Sequence, residues 1–377
     1  MDLTFLFPCL NEAETLAHCI TEVRKSLEGD ASIKFEILVA DNGSTDESRE
    51  IARTHGARVV KVGEKGYGAA LRGGFEAAEG RYVMFADADA TYLLEHSLEL
   101  YQAAIRENAD MAIASRLKGT VEPGAMPPMH HYLGTPVLTT LINLFFKGKL
   151  SDCNSGFRCV RKEAYKTWRI RSSGMEFASE LLIKALKAKA KMVEIPSGLR
   201  PHRAGRVAHL KTWRDGMRHL LFILSERPQF FESVGLLLLI ASTVLQVAAL
   251  IFGPVQIGIF NVFDVHSQAL LLLGGLTGAQ LYVFSCVLFL VGKEQSTALT
   301  RKLIGLEEDS LFFLLLGLLL LETLCVGGIV VKWGMVHFGG LDLAKVLIPI
   351  IHFLSVPALW AIGLLAIHVF KKGERAH

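Results

Sequence analysis

The sequence predicts an α/β domain with a mostly parallel sheet, followed by an all-α membrane domain of four transmembrane helices. Three observations lead there. Up to about residue 230, short apolar runs alternate with charged, helix-patterned stretches; beyond it come long segments almost without charge; and Asp87 and Asp89 close the apolar run Tyr82-Val83-Met84-Phe85-Ala86. A chain of 377 residues that is 51% hydrophobic is too apolar for an ordinary soluble protein, and the excess lies in its second half. The expected division is a soluble domain over 1–230 and a membrane domain over 231–377.

Residues 3–7 read as a first strand, followed by a turn over 8–11 and a helix over about 14–27. A second strand covers 35–39, a helix begins over 48–54, and a third strand covers 58–62. After Gly66-Tyr67-Gly68 a helix carries 69–78, and the next strand ends at Asp87. Strands alternating with helices at this spacing build a parallel sheet, which binds ligands beyond the carboxyl ends of its strands. Three polar clusters converge at that edge: 8–12, 41–46 and 87–91. Asp87 and Asp89 offer hard oxygens through which Mg²⁺ or Mn²⁺ could bridge to a diphosphate, although such a pair alone also suits an ordinary turn. Asp41 can accept the N–H groups of a nucleobase edge, as uracil and guanine both offer. Ser44, Thr45 and Asp46 fit a capped turn equally well.

Pro8-Cys9-Leu10-Asn11-Glu12, the run from Asp41 to Asp46, Lys65-Gly66-Tyr67-Gly68-Ala69-Ala70 and Asp87-Ala88-Asp89, in this order and spacing, resemble family 2 glycosyltransferases with the GT-A fold. The similarity is greatest to the polyprenyl-phosphate branch, represented by dolichol-phosphate mannose synthases and relatives that use undecaprenyl phosphate. It covers the chain to about Pro228 and continues less specifically into the membrane helices. The resemblance implies that Pro8, Glu12, Asp41 and Lys65 hold the nucleotide sugar and that Asp87 and Asp89 hold the divalent ion and diphosphate. Several relatives place Gln two positions after the second Asp, where this chain has Thr91, so a third metal contact is in question. A dinucleotide loop is the competing reading of Gly66-Tyr67-Gly68, but its third glycine is replaced by Leu71.

Ser115-Arg116, the run from Asp152 to Arg158 and the run from Gly174 to Glu180 also resemble the lipid-phosphate branch. An arginine at the position of Arg116 there binds the acceptor phosphate, which suits a guanidinium fork; a salt bridge is the alternative for Arg116 and more so for Arg158. Arg203 and Arg206, ahead of the first span, suit anionic headgroups, but the resemblance favours them as further acceptor-phosphate residues. Asp152 and Glu176 join Asp89 and Arg116 as catalytic candidates, whereas Glu180 reads as structural. Amphipathic stretches near 136–146 and 208–226 are expected to form interfacial helices, with a core-facing position as the alternative for each.

Spans of the ~20 apolar residues a bilayer requires are expected at 233–253, 267–292, 311–331 and 346–370. Basic residues flank them asymmetrically. Arg218 and Arg227 precede the first, Lys293, Arg301 and Lys302 separate the second from the third, and Lys371, Lys372 and Arg375 follow the last, while 254–266 has none. Catalytic domain and C-terminus are therefore expected on the cytoplasmic side, with Lys332 and Lys345 as exceptions. Glu322, mid-span, calls for a partner, for which His352 is one choice. Residues 3–7 are too short for a signal-peptide core, so no leader is expected. The six cysteines lack paired zinc spacing and should be reduced and structural. A net charge of +3 gives no reason to expect nucleic acid as a partner.

The resemblance and the residues together point to an inverting transferase that moves a hexose from a UDP- or GDP-sugar to a polyprenyl phosphate, with Mg²⁺ or Mn²⁺ as cofactor. A processive polysaccharide synthase would add an acid motif and Gln-x-x-Arg-Trp, of which only Trp213-Arg214 is present. A lipid-linked sugar flippase or nucleotide-binding scaffold is the rival from another class. Sugar, lipid length and oligomeric state stay open.

Overall fold

The computed structural model describes residues 1–201, 212–257, 260–292, 296–335 and 343–375. The chain forms two compact units, Met1–Leu224 and Ser225–His377. In the first, strands and helices alternate: β1 (Leu3–Cys9), α1 (Leu16–Leu27), β2 (Phe35–Asp41), α2 (Ser48–Thr54), β3 (Arg58–Lys61), α3 (Tyr67–Ala77), β4 (Tyr82–Phe85), α4 (Ser97–Arg106), β5 (Met111–Ser115), α5 (Thr135–Phe146), β6 (Arg158–Arg161), α6 (Lys162–Trp168), α7 (Phe177–Lys187), β7 (Met192–Pro196) and α8 (Thr212–Ser225).

The seven strands form one sheet in the order β3-β2-β1-β4-β6-β5-β7. Neighbours run parallel except where β6 lies antiparallel between β4 and β5. Every residue of β1 is buried, because both faces of the sheet are covered. Phe5 and Phe7 pack on one face with Leu16, Ile20 and Leu100 of α1 and α4. Leu6, with Leu38, Val83 and Phe85, packs on the other against Leu71 and Phe75 of α3 and Leu181 of α7. This alternation is the two-residue period of a strand read from both sides.

Strands β1 and β2 run further than their apolar runs suggest, and the pairing Cys9↔Asp41 brings their ends level. β4 pairs with β1 only as far as Leu6↔Phe85, so the Asp87 segment leaves the sheet beside those ends. The helix after Gly66 starts at Tyr67, two residues earlier than its periodicity indicates, and the first helix starts at Leu16, two residues later. On α5, Leu138, Ile142 and Phe145 are buried in the domain core, while Val137 and Leu144 face outward.

The second unit contains α9 (Pro228–Phe252), a hairpin of β8 (Val255–Ile257) and β9 (Phe260–Val262), then α10 (Val265–Val291), α11 (Ala298–Ile304), α12 (Glu308–Met335) and α13 (Leu343–Arg375). The hairpin is a short addition to the expected helices, in which β8 and β9 pair antiparallel through β-branched and aromatic residues. Among the described residues, four helices are long and apolar enough to cross a membrane: Pro228–Phe252, Val265–Leu290, Phe312–Met335 and Leu347–His368. His352 is buried with Nε2 3.3 Å from Thr243 Oγ1. The Glu322 side chain lies outside the described residues, as do Arg203 and Arg206.

Candidate active site

A cavity of about 660 Å³ opens at the carboxyl ends of β1, β2, β4 and β5. β1 delivers Pro8, Cys9 and, just past its end, Glu12; β2 delivers Asn42; the β3–α3 connection delivers Lys65 and Tyr67. The segment after β4 supplies Asp87, Asp89, Thr91 and Tyr92, and the end of β5 supplies Arg116. Met126 and His130, ahead of α5, complete the side nearest Arg116's loop. The polar clusters converge because parallel strands all end at one edge.

The acid segment is held from several directions. Thr15 donates its hydroxyl to the Ala88 carbonyl at 2.6 Å, tying the start of α1 to the loop between the two acids. Thr91 donates both its hydroxyl, at 2.6 Å, and its backbone N–H, at 3.1 Å, to Asp89 Oδ1. The Asp87 carboxylate acts on the Tyr67 hydroxyl, whose pKa rises well above the usual phenol value through burial first and the Asp87 charge second. Gly156 lies against this group: a Cβ there would stand 3.0 Å from Tyr92 Oη and 3.1 Å from Asp87 Oδ2. Its N–H donates to Tyr92 Oη at 2.6 Å, so close backbone approach makes the contact.

Arg116 is set by a buried carboxylate. Its Nε donates to Asp152 Oδ2 at 2.7 Å, its Nη2 to Oδ1 at 2.8 Å, and its backbone N–H to Oδ2 at 3.1 Å. Asp152 is 0% exposed. Burial pushes its carboxyl up, but the Arg116 charge and N–H donors outweigh that and hold it below the usual carboxylate range. Such a bidentate pair fixes the plane of the guanidinium at the cavity wall. Burial, followed by the Arg116 charge, lowers the His130 pKa, favouring the neutral imidazole.

The cluster after β2 braces the loop after β1. Asn11 N–H donates to Ser44 Oγ at 3.0 Å, Glu12 N–H to Ser48 Oγ at 2.9 Å, and Ala13 N–H to Asp46 Oδ2 at 3.0 Å. Asp41 Oδ1 accepts the Ser44 N–H at 3.0 Å and Oδ2 lies 3.7 Å from Arg49 Nε. Asn42 accepts the Gly66 N–H at 2.8 Å, and its backbone carbonyl accepts from Lys65 Nζ at 2.9 Å. Burial raises the Cys9 thiol to about 11, so it is no nucleophile at neutral pH.

Pro8, Glu12, Lys65, Asp87, Asp89 and Arg116 all line the cavity, as the sequence suggests; Asp41, Asp152, Arg158 and Glu176 do not. Asp41 is tucked beneath the edge by its own turn. Asp152 stands behind Arg116 rather than at the cavity, which corrects its catalytic assignment to one of support. Glu176 accepts the Gly174 N–H at 3.2 Å just before α7. Arg158 is the clearest correction: it is 0% exposed, and its Nε, Nη1 and Nη2 donate to the carbonyls of Ser155, Ala178 and Cys153 at 2.7, 3.0 and 2.8 Å. A guanidinium committed to three backbone carbonyls is a brace, not an anion receptor. Glu180 accepts the N–H groups of Arg171 and Ser172 and is structural, as expected. Tyr67, Tyr92, Asn42 and His130 also line the cavity, and the sequence does not mark them as site residues. Tyr67 stands between two glycines at a helix start and His130 follows Pro127-Pro128, but neither signal specifies a direction in space.

Asp87 and Asp89 are two hard oxygen donors on a wall of the cavity, and among the described residues no group of three or more His, Cys, Asp and Glu side chains gathers for a metal. Two carboxylates fit Mg²⁺ or Mn²⁺, which complete their shells with phosphate and water oxygens.

Residues 4–169 match glycosyl transferase family 2. The low-salt glycan biosynthesis hexosyltransferase of Haloferax volcanii is 38% identical over 287 residues, covering 75% of this chain and 67% of that relative. The chain belongs to glycosyl transferase family 2. It is a glycosyltransferase of GT-A-like fold, followed by a helical part with four candidate membrane spans. A second family relative, the dolichyl-phosphate hexose transferase of the same organism, is 27% identical over 206 residues, covering 54% of this chain and 85% of the relative. Glucosyl-3-phosphoglycerate synthase from Mycobacterium tuberculosis, solved with Mn²⁺, UDP and glucosyl-3-phosphoglycerate, is 21% identical with a TM-score of 0.49, covering 60% of this chain and 80% of that one.

Proposed function

We propose that this glycosyltransferase moves a hexose from a UDP- or GDP-hexose to the phosphate of a polyprenyl phosphate, with inversion at the anomeric carbon. The observation that carries this reading is one cavity lined both by the acid pair Asp87 and Asp89 and by Arg116 with its buried Asp152. Support comes from a relative named as a dolichyl-phosphate hexose transferase and from four membrane-length helices in the same chain as the cavity.

In this reading Glu12 and Lys65 bind the nucleotide sugar beside Pro8, with Asp41 shaping the loop beneath them. Asp87 and Asp89 hold Mg²⁺ or Mn²⁺, which when bound neutralises charge on the departing diphosphate. Arg116 holds the acceptor phosphate. An oxygen of that phosphate attacks the anomeric carbon from the face opposite the leaving group. A new C–O bond forms, the bond to the nucleoside diphosphate breaks, and its electron pair leaves with the diphosphate. The acceptor is already largely a dianion near neutral pH, with a second pKa of about 6, so no side chain has to remove a proton. Catalytic domain and C-terminus face the cytoplasm, where nucleotide sugars are available.

The test offers the full-length protein a panel of UDP- and GDP-hexoses with a short polyprenyl phosphate and Mg²⁺ or Mn²⁺, reading lipid product by mass and its anomeric configuration by NMR. One donor should yield an inverted monosaccharide-phospholipid, and Asp89→Ala should lower the rate by about 100-fold or more. No lipid product with any donor, or full activity in Asp89→Ala, refutes the proposal.

A further inference from the structure

Thr91 stands where a third metal contact was in question, and its contacts suggest a different task. Its hydroxyl and backbone N–H both fall on the same oxygen of Asp89, Oδ1, at 2.6 and 3.1 Å. Thr91 is only 4% exposed, so water competes little for that hydroxyl. Ala90 between them has φ 60°, a left-handed conformation unusual for alanine. The strained residue folds the chain back so that Thr91 meets the carboxylate two positions before it. Two donors on one oxygen select a single carboxylate rotamer and direct the other oxygen elsewhere.

We propose that Thr91 is a positioning residue for the divalent-ion site: it locks Asp89 in the orientation that binds Mg²⁺ or Mn²⁺ and is not itself a ligand. The inference rests on the proposed metal role of Asp89. A carboxylate ordered before the ion arrives binds it more tightly, and loss of such an outer contact typically costs 10- to 100-fold in metal affinity.

Mn²⁺ binding to the full-length protein, read by EPR in the presence of UDP or GDP, tests this. Thr91→Val keeps the side-chain shape and removes the hydroxyl; it should weaken Mn²⁺ binding about 10-fold at an unchanged melting temperature, and Thr91→Ser should restore it. Thr91→Ala serves the same comparison should the valine variant not fold. In an Asp89→Ala background, Thr91→Val should cost nothing further, because its effect passes through Asp89. Wild-type binding by Thr91→Val while Asp89→Ala loses the ion overturns the positioning role alone. An additional loss from Thr91→Val on top of Asp89→Ala overturns it in favour of direct ligation. Unchanged Mn²⁺ binding by Asp89→Ala removes the metal-site reading beneath both.

Discussion

Arg116 and Arg158 are both largely withdrawn from water, yet they are stabilised by opposite means. Arg116 is neutralised by Asp152, whereas Arg158 is solvated by three backbone carbonyls. Removing the Asp152 charge leaves a guanidinium without its counter-ion, so Asp152→Asn should cost about 3 kcal/mol, measured by urea unfolding of the full-length protein. The pH dependence follows from the lowered Asp152 pKa. Its unfolded value is near 3.8, so its contribution is complete above that pH and is lost as pH falls through the lower folded value. Asp152→Asn should abolish that part of the acid sensitivity. Arg158→Lys should also destabilise, by about 2 kcal/mol, because an ammonium cannot span three carbonyls set for a planar fork. It should leave the KM for polyprenyl phosphate unchanged in the folded fraction, since the cavity lining does not include Arg158; a large rise in KM would contradict the brace assignment.

At the scale of elements, α3 carries, beyond the motif at its start, a glycine that serves packing. A Cβ at Gly74 would stand 2.3 Å from Leu6 Cδ1 of the central strand β1, so the helix lies directly on the sheet. Gly74→Ala gains about 1 kcal/mol of helix propensity but forces a shift in a filled core, for a net loss of about 1–2 kcal/mol by thermal or urea unfolding. Stabilisation would show that the sheet has room to yield. α3 starts two residues before its periodicity indicates because its first turn is anchored by Asn42, whose contact to the Gly66 N–H spans two loops and leaves no local pattern. The apolar stripe of α5 is legible as helical, but the interfacial position expected for it gives way to the domain core on its buried face. Burial decides it: Leu138, Ile142 and Phe145 complete the core, and the outward face carries Val137 and Leu144.

At the scale of the whole molecule, the proposed topology has a direct test. In that proposal, argued from the basic flanks, the catalytic domain and C-terminus lie on one side and the connection over 254–266 on the other. A single cysteine introduced at Gln256 should react with a membrane-impermeant maleimide on intact spheroplasts, and one introduced at Gly373 should react only after permeabilisation. The reverse pattern would invert the orientation and remove the cytoplasmic donor supply from the mechanism.

The sequence by itself determined the two-part architecture, the alternating sheet-and-helix build and the edge where the motifs meet, because periodicity and span length are local properties of the chain. It also identified six of the cavity's polar and turn residues, since strand-end chemistry is written in consecutive positions. The tertiary structure alone decided which charges face the cavity and which support it. Asp152 and Arg158 look like ligands in one dimension, and only the partners that folding brings to them, a guanidinium and three carbonyls, reveal that their hydrogen-bonding capacity is spent inside the protein.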